Sequence, residues 1–518
     1  MANSQQQKLY NDNHMFKIEE VVGWLRKNFN KTDVLLLLGI VGMYFLTRII
    51  NIESLPIFTD EAIYIHWAKV AWKDASWRFV SLTDGRQPLQ TWATIPLLKL
   101  FPDNALLAGR LFGVASGFCT LMGIFTLLFY LFGKRTAFIG SVLYVFTPFF
   151  MFYDRMALAD SAVNAGFVWI LFFSILLVNT QRLDISILFG LISGISLLTK
   201  SSVRLFVGLS AFSPILILSK KNPKLFLRLI NYFLLFACTV VIAFFLYNVQ
   251  RLSPFFHFVS QKNLTFVMSF SDFFKKPFAY FSSNSKLIPF YLSWELGWGL
   301  VLFAILGFVT LLRKNPKLWS YLFLWLFVPY IALSFFSIVL YPRYLIFFAT
   351  LFLIYASYFF SQLKVTKFVW VVILGFFITL LYFDYPILFN PPLLHFPPID
   401  RGQYIEGGSA GWGLKEVVGF AREKAKEKRV ILLAEGNFGM AGDALDVLLR
   451  SDDNIIVKGY WPLDYAQLKE NQKELDTTLV YAVFVYRMDY PMDWPIRFVK
   501  RYDKPGGRSS IYLFELLK

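Results

Sequence analysis

Eleven long apolar runs dominate the chain and limit what it can fold into. Most approach the length of about 20 predominantly apolar residues that a helix needs to cross a bilayer. Only 16% of the 518 residues are charged, whereas soluble domains contain roughly 25%. A polytopic α-helical membrane protein is therefore predicted, and soluble enzymes, coiled coils and disordered proteins are excluded. The predicted spans are 34–50, 105–132, 135–153, 157–178, 185–199, 202–219, 228–249, 290–312, 318–340, 344–362 and 367–389.

The distribution of basic residues predicts the orientation of the chain. The net charge of +17 lies in residues 1–389, because residues 390–518 hold 18 basic and 18 acidic side chains. Basic residues concentrate in alternate short loops, which the positive-inside rule places in the cytoplasm. We expect a multi-pass protein of the cell (plasma) membrane with a cytoplasmic N-terminus. A nucleic-acid binder would gather its charge on one soluble face, so no nucleic-acid partner is expected.

Composition divides the chain into two domains. Residues 1–389 form the predicted transmembrane domain, with long outer loops at 51–104 and 250–289. From about residue 390, apolar strand-like segments alternate with helical ones, as in a small α/β domain. An odd number of crossings places this domain, residues 390–518, outside the cytoplasm.

Three amphipathic stretches are predicted to lie in the membrane interface. Residues 15–29 are assigned to the cytoplasmic face, and 60–75 and 87–101 to the first outer loop. In the C-terminal domain, the glycine-rich loop 436–442 follows a strand and opens a helix. This loop lacks the dinucleotide-binding pattern, so a plain strand–helix turn is the better interpretation.

Ionisable residues at membrane depth are costly and therefore indicate function. Those of this chain gather at the predicted outer ends of the spans. Asp60 and Glu61 follow the first span directly. An acidic pair there is typical of helix capping, but a carboxylate at a partly dry interface can also act as a general base toward a hydroxyl.

Further charged residues lie at other outer helix ends. Asp160 lacks a partner nearby in sequence, which favours a cation, a metal or a substrate hydroxyl as its neighbour. Lys200 and Arg343 fit helix-end and aromatic-belt anchors. Both residue types also bind lipid phosphate, arginine bidentately and lysine as a point charge. Arg155 is either the partner of Asp154 in a tight turn or another phosphate ligand.

Several short motifs resemble the C-type membrane glycosyltransferases. The match is nearest to glycosyltransferase family 39, the superfamily of dolichyl-phosphate-mannose protein mannosyltransferases and lipid A aminoarabinose transferases. The matching residues are Asp60-Glu61, Gly85-Arg86-Gln87-Pro88-Leu89, Leu107-Ala108-Gly109-Arg110-Leu111, the Arg-x-Ala-Leu-x-Asp pattern at 155–160, Leu198-Thr199-Lys200 and Pro342-Arg343-Tyr344.

The resemblance implies inverting transfer of a sugar from a polyprenyl-phosphate donor to an acceptor hydroxyl at the outer face. Asp60 would then be the general base, and Glu61 would support the acceptor or the loop. Asp160 would line the same cavity, and Lys200 and Arg343 would hold the donor phosphate. The aminoarabinose transferases carry an acid and a lysine directly before the loop proline. Here Arg86 would replace the lysine as a further ligand of the donor phosphate, and the acid is missing.

A divalent cation is the only cofactor that the resemblance leaves to test. Asp60 and Asp160 are its candidate ligands. It leaves open whether the acceptor is a lipid, a glycan or a protein. Two other functions compete with a transferase. A lipid-linked sugar flippase or other transporter would place its charges near the midplane and often shows internal repeats, and a glycan-binding protein would need far fewer spans as an anchor.

Overall fold

The computed structural model describes residues 28–219, 223–364 and 366–518. The predicted amphipathic helix at 15–29 falls outside them except for its last two residues. The first half of the described chain contains helices α1 (Lys31–Ile49), α2 (Thr59–Lys73), α3 (Leu89–Leu100), α4 (Ala105–Phe132), α5 (Lys134–Phe146), α6 (Pro148–Asp154), α7 (Asp160–Thr180), α8 (Leu183–Leu197), α9 (Val203–Ser210) and α10 (Leu225–Tyr247).

The second half holds the remaining helices and all five strands of the described sheet. The helices are α11 (Phe258–Phe266), α12 (Phe270–Lys275), α13 (Phe281–Leu296), α14 (Trp298–Lys314), α15 (Pro316–Phe336), α16 (Ile346–Gln362), α17 (Lys367–Phe389), α18 (Pro398–Arg401), α19 (Leu414–Ala425), α20 (Gly442–Leu448) and α21 (Tyr465–Asn471). The strands are β1 (Val430–Glu435), β2 (Ile455–Tyr460), β3 (Leu479–Phe484), β4 (Ile496–Asp503) and β5 (Ser510–Leu516).

Fewer helices can cross a membrane than the eleven that were predicted. Among the described residues, seven helices are long and apolar enough, and the number reaches nine if each of two bent pairs is one span. Apolar helices do form at 185–199 and 202–219, but α8 has only 15 residues. At 1.5 Å per residue it is about 22 Å long, which is short of the roughly 30 Å hydrocarbon core.

The predicted span 290–312 is wrong as a single straight helix. It contains the junction of α13 and α14, which meet at an angle of 112°. Gly297 lies at this junction with a φ of +72°, a left-handed conformation that residues with a Cβ rarely adopt. Apolar composition continues through the bend, so hydropathy alone does not detect it.

Helix α7 is the centre of the bundle. Nearly all of its side chains are buried, including polar Asn164 and Ser174. Asn164 accepts a hydrogen bond from Thr350 of α16 at 2.7 Å, and the hydroxyls of Ser174 and Tyr321 lie 2.7 Å apart. Such buried polar pairs join helices whose apolar surfaces gain little by leaving lipid.

The C-terminal strands confirm the predicted α/β segment. They form one sheet in the order β2-β1-β3-β5-β4. Strands β1, β2 and β3 are parallel, whereas β5 is antiparallel to both β3 and β4. The carboxyl ends of the three parallel strands therefore lie at the same edge of the sheet.

Helix α2 packs its apolar face inside the protein, and its location in the membrane interface stays a prediction. Its residues Ala62, Ile65 and Ala68 share one hydrophobic core with the C-terminal region, including Leu432 and Ala441. The amphipathic sequence of α2 fits either a membrane interface or a protein core. In this structure the C-terminal region supplies the apolar partner.

Candidate active site

Asp60 lies in the first turn of α2 and pairs with two arginines. Arg86 Nη2 donates to Asp60 Oδ1 at 3.0 Å, and Arg343 Nη2 donates to Oδ2 at 2.9 Å. The Asp60 side chain is 18% exposed, so ligands can reach it. Residues 283 positions apart meet here because the first turn of α2 lies against the turn Pro342–Leu345, which precedes α16.

The two arginines control the ionisation of Asp60. Burial by itself would raise the pKa of this carboxyl, but the positive charges of Arg86 and Arg343 outweigh it and lower the pKa to about 2. Lys200 is close enough to lower it further. Asp60 is therefore a carboxylate at neutral pH, and its basicity is low as long as both arginines contact it.

Lys200 and Asp160 form the second ion pair of the cluster, with Nζ and Oδ1 3.0 Å apart. Asp160 is the first residue of α7, where the helix dipole favours a negative charge. Burial opposes the charged form of Lys200, but Asp160 raises the lysine pKa overall. The Tyr344 ring lies 4.1 Å from Lys200 Nζ and 5.6 Å from the Arg343 guanidinium, between the two ion pairs.

Residues that the sequence reasoning passed over complete this cluster. Asp84 accepts from Arg86 Nε at 3.0 Å and from Lys262 Nζ at 2.7 Å. An acid is therefore present near Arg86, two positions before it, although the residue directly before Arg86 is Gly85. This proximity in sequence was an available signal, whereas no local pattern indicated Lys262, 178 positions away.

Glu61 is fully buried and lies apart from the ion pairs of Asp60. Its carboxylate accepts two hydrogen bonds from Arg110, at 2.9 and 2.8 Å, and one each from the backbone N–H groups of Phe58 and Ala157, at 3.0 and 2.8 Å. All of these partners are protein groups. The geometry therefore favours the role of holding the loop over the role of contacting an acceptor.

Arg155 is also not brought to the cluster. Its guanidinium donates to the carbonyl oxygens of Thr47, Ile50 and Asn51 at 2.8–2.9 Å. These carbonyls lie at the C-terminal end of α1, where backbone acceptors lack helical partners. Asp154 pairs instead with Arg48, at 3.4 Å, so the local Asp154–Arg155 pair does not form.

The donor set does not fit a resident divalent cation. No three His, Cys, Asp or Glu side chains come together as a metal site anywhere in the part of the chain that the structure describes. Asp60 and Asp160, the predicted candidates, each contact cationic side chains instead. Hard cations such as Mg²⁺ need converging oxygen ligands.

Two comparisons relate this arrangement to known proteins. Residues 86–247 match the family model of the dolichyl-phosphate-mannose-protein mannosyltransferases. The structure is similar to that of ArnT from Cupriavidus metallidurans bound to undecaprenyl phosphate, with a TM-score of 0.59 and 14% identity over 93% of this chain and 97% of that one. This chain has the C-type glycosyltransferase fold. The resemblance inferred from the sequence motifs is thereby confirmed.

A more distant structure shares the fold. The oligosaccharyltransferase of Archaeoglobus fulgidus in its apo form superposes with a TM-score of 0.53 and 12% identity, over 89% of this chain and 70% of that one. No curated protein sequence matches the chain. The C-type fold is thus retained where sequence identity has largely disappeared.

Proposed function

We propose that this protein transfers a sugar, with inversion, from a polyprenyl-phosphate-linked donor to an acceptor hydroxyl at the outer face of the cell membrane. The observation that carries the proposal is the Asp60 carboxylate held between Arg86 and Arg343, beside Lys200. A base next to several phosphate-binding cations suits a reaction with a hydroxyl nucleophile and a phosphate leaving group. The relative ArnT was solved with undecaprenyl phosphate, which supports a donor of this class.

The residues divide the reaction between them. Lys200 and Arg343 bind the donor phosphate, and Asp60 accepts the proton of the acceptor hydroxyl. The hydroxyl oxygen forms a bond to the anomeric carbon from the face opposite the phosphate, and the bond from that carbon to the phosphate oxygen breaks. The phosphate departs with the bonding electron pair as the polyprenyl phosphate, stabilised by the two cations.

Donor binding would also activate the base. Arg343 now contacts Asp60, and the Asp60 pKa is about 2 because of its cationic neighbours. A phosphate that draws Arg343 and Lys200 toward itself neutralises part of this charge, which raises the pKa of the carboxyl. A general base works best with a pKa nearer the operating pH, so the base becomes effective only when donor is present.

The distribution of charge opposes the transporter alternative. Asp60 and Asp160 lie in the first turns of helices, Lys200 and Arg343 lie in the segments that join helices, and Arg343 contacts Gln403 and Tyr404 beyond the last long helix. Transporters place their ligand-binding charges near the bilayer midplane.

Donor affinity tests this proposal in purified protein. Lys200→Ala and Arg343→Ala should each weaken binding of undecaprenyl phosphate by about 10- to 100-fold, since each removes a charge-assisted contact typically worth ~1.5–3 kcal/mol. Arg343→Lys should restore only part of the affinity, because a point charge does not replace a bidentate guanidinium. Lys275→Ala is the matched control, because this lysine, the last residue of α12, is 73% exposed. Equal affinity in all of these variants would contradict the proposal.

A further inference from the structure

Three exposed aromatic residues follow the carboxyl ends of the parallel strands. Phe438 comes after β1, Trp461 after β2 and Tyr486 after β3, and they are 47%, 65% and 44% exposed. Trp461 and Tyr486 pack edge to face, with ring centroids 5.9 Å apart. We call these three residues the aromatic edge. Large aromatic rings that stay exposed in a group mark binding sites.

The first side of the aromatic edge contacts helix α2 at Trp67, and the next residue of the same loop meets Thr59. The Phe438 ring lies 6.0 Å from that of Trp67 on α2. At Gly439, a Cβ atom would lie 2.6 Å from Thr59 Cγ2, so only glycine permits this approach. The loop after β1 is thus seated on the residue that precedes the proposed base.

The other side reaches the same point through a second segment. The Tyr486 ring lies against Gly408, where a Cβ atom would be 2.6 Å from the ring. The next residue, Ser409, accepts hydrogen bonds from the Thr59 backbone N–H and hydroxyl, both at 3.1 Å. The loop after β1 and the segment at Gly408 and Ser409 therefore flank Thr59, the residue before Asp60, and the Tyr486 ring packs on that segment.

We propose that the aromatic edge binds the acceptor, and that the acceptor is a saccharide. The apolar C–H face of a sugar ring stacks on the electron-rich face of an aromatic ring, and the exposed Asn437 amide can hydrogen-bond sugar hydroxyls. Two charged groups of this edge are occupied: Glu435 accepts from three backbone N–H groups, and the Arg487 guanidinium lies 4.8 Å from the Trp494 ring.

A peptide acceptor fits this surface less well. Extended peptides gain affinity from main-chain hydrogen bonds along an open strand edge. The aromatic edge lies at strand ends, where the backbone turns into loops. The three exposed rings and the neighbouring Asn437 amide suit a sugar ring better than an extended main chain.

This inference rests on the proposed function, because it names the class of the acceptor. The test uses the full chain in detergent on a microarray of neutral oligosaccharides, followed by calorimetry with the tightest-binding one. Trp461→Ala and Tyr486→Ala should each weaken binding about tenfold, as truncated aromatic anchors do. Phe498→Ala is the matched control, because Phe498 is 56% exposed on β4 at the far edge of the sheet, and its affinity should equal wild type.

Three results would overturn the inference: no oligosaccharide binds, both variants bind as wild type does, or serine- and threonine-containing peptides bind instead in a Trp461-dependent way. Undecaprenyl phosphate affinity, measured on the same preparations, separates the two proposals. If lipid-phosphate binding depends on Lys200 while saccharide binding fails, only the acceptor assignment falls. If saccharide binding depends on Trp461 while lipid phosphate does not bind, the proposed function falls.

Discussion

Two adjacent carboxylates of the same helix turn have opposite environments. Asp60 is partly exposed between arginines that a phosphate can recruit, whereas Glu61 is buried and satisfied by Arg110 and two backbone N–H groups. The side chains differ by one methylene. Their tertiary neighbours lie far away in sequence. These neighbours leave Asp60 accessible to a reacting group and fix Glu61 as a structural partner of Arg110.

Glu61→Gln should therefore destabilise the protein. The substitution leaves the buried Arg110 guanidinium without a compensating charge, and breaking a buried ion pair typically costs about 3–5 kcal/mol. Thermal unfolding in detergent should show a clearly lower midpoint for Glu61→Gln than for Asp60→Asn, because the Asp60 carboxylate is partly exposed in the wild type. A Glu61→Gln protein of wild-type stability that has lost transfer activity would instead place Glu61 in the reaction.

The sequence predicted the members of the cluster better than it predicted their partners. Asp60, Asp160, Lys200 and Arg343 were singled out because charge at a helix end is visible in a single sequence, and Arg86 was singled out by the family resemblance of its loop. The arrangement of Arg155 was not, because its acceptors are the end carbonyls of another helix. Backbone acceptors carry no residue-type signal.

At the scale of elements, helix α2 connects the ion-pair cluster to the C-terminal sheet. His66 lies between two acids of α20: Nδ1 is 3.0 Å from Asp446, and Nε2 is 3.8 Å from Asp443. Lys69 also contacts Asp446, at 2.8 Å. Burial opposes protonation of His66, but the hydrogen bond to Asp446 and the two negative charges raise its pKa overall.

This contact should make the packing of α2 against α20 depend on pH. A histidine pKa that is raised on folding adds stability that is fully present below the unfolded pKa of about 6.5. The contribution is lost as pH rises through the higher folded value. The melting temperature of the wild type should therefore fall more than that of His66→Gln between pH 6 and 9. Parallel curves for the two proteins would show that His66 does not couple to this contact.

The elements themselves were predicted where local pattern suffices. The alternation of strands and helices in the C-terminal region and most of the long apolar helices appear as predicted. The bend at Gly297 was missed because apolar composition continues through it. The burial of α2 was missed because hydropathy does not distinguish lipid from protein as the apolar partner of a helix.

At the scale of the whole molecule, the proposal requires the ion-pair cluster and the C-terminal region to share one side of the membrane. Arg343 donates to Gln403 at 3.1 Å and Tyr404 at 3.2 Å, and both residues follow the last long helix, α17. The positive-inside rule predicts that this side is extracytoplasmic, where lipid-linked sugars replace nucleotide donors.

Protease protection tests this orientation. In spheroplasts of the expression host, added protease should remove the C-terminal region while the membrane is still sealed, as followed with an antibody to residues 390–518. A cytoplasmic marker protein that stays intact is the control. Digestion only after permeabilisation would place the cluster on the cytoplasmic side and contradict the proposed location.

Asp60→Asn tests the central claim most directly. The measurement is sugar transfer by purified protein from a synthetic polyprenyl-phosphate sugar to an acceptor, with donor affinity determined in parallel. Asparagine cannot take up the proton, so transfer should fall by ~10²–10⁴-fold, the usual contribution of a positioned base. Donor affinity should equal or exceed that of the wild type, because a neutral side chain at this position no longer competes with the phosphate for Arg343. An Asp60→Asn protein that retains most of its transfer activity would contradict the account.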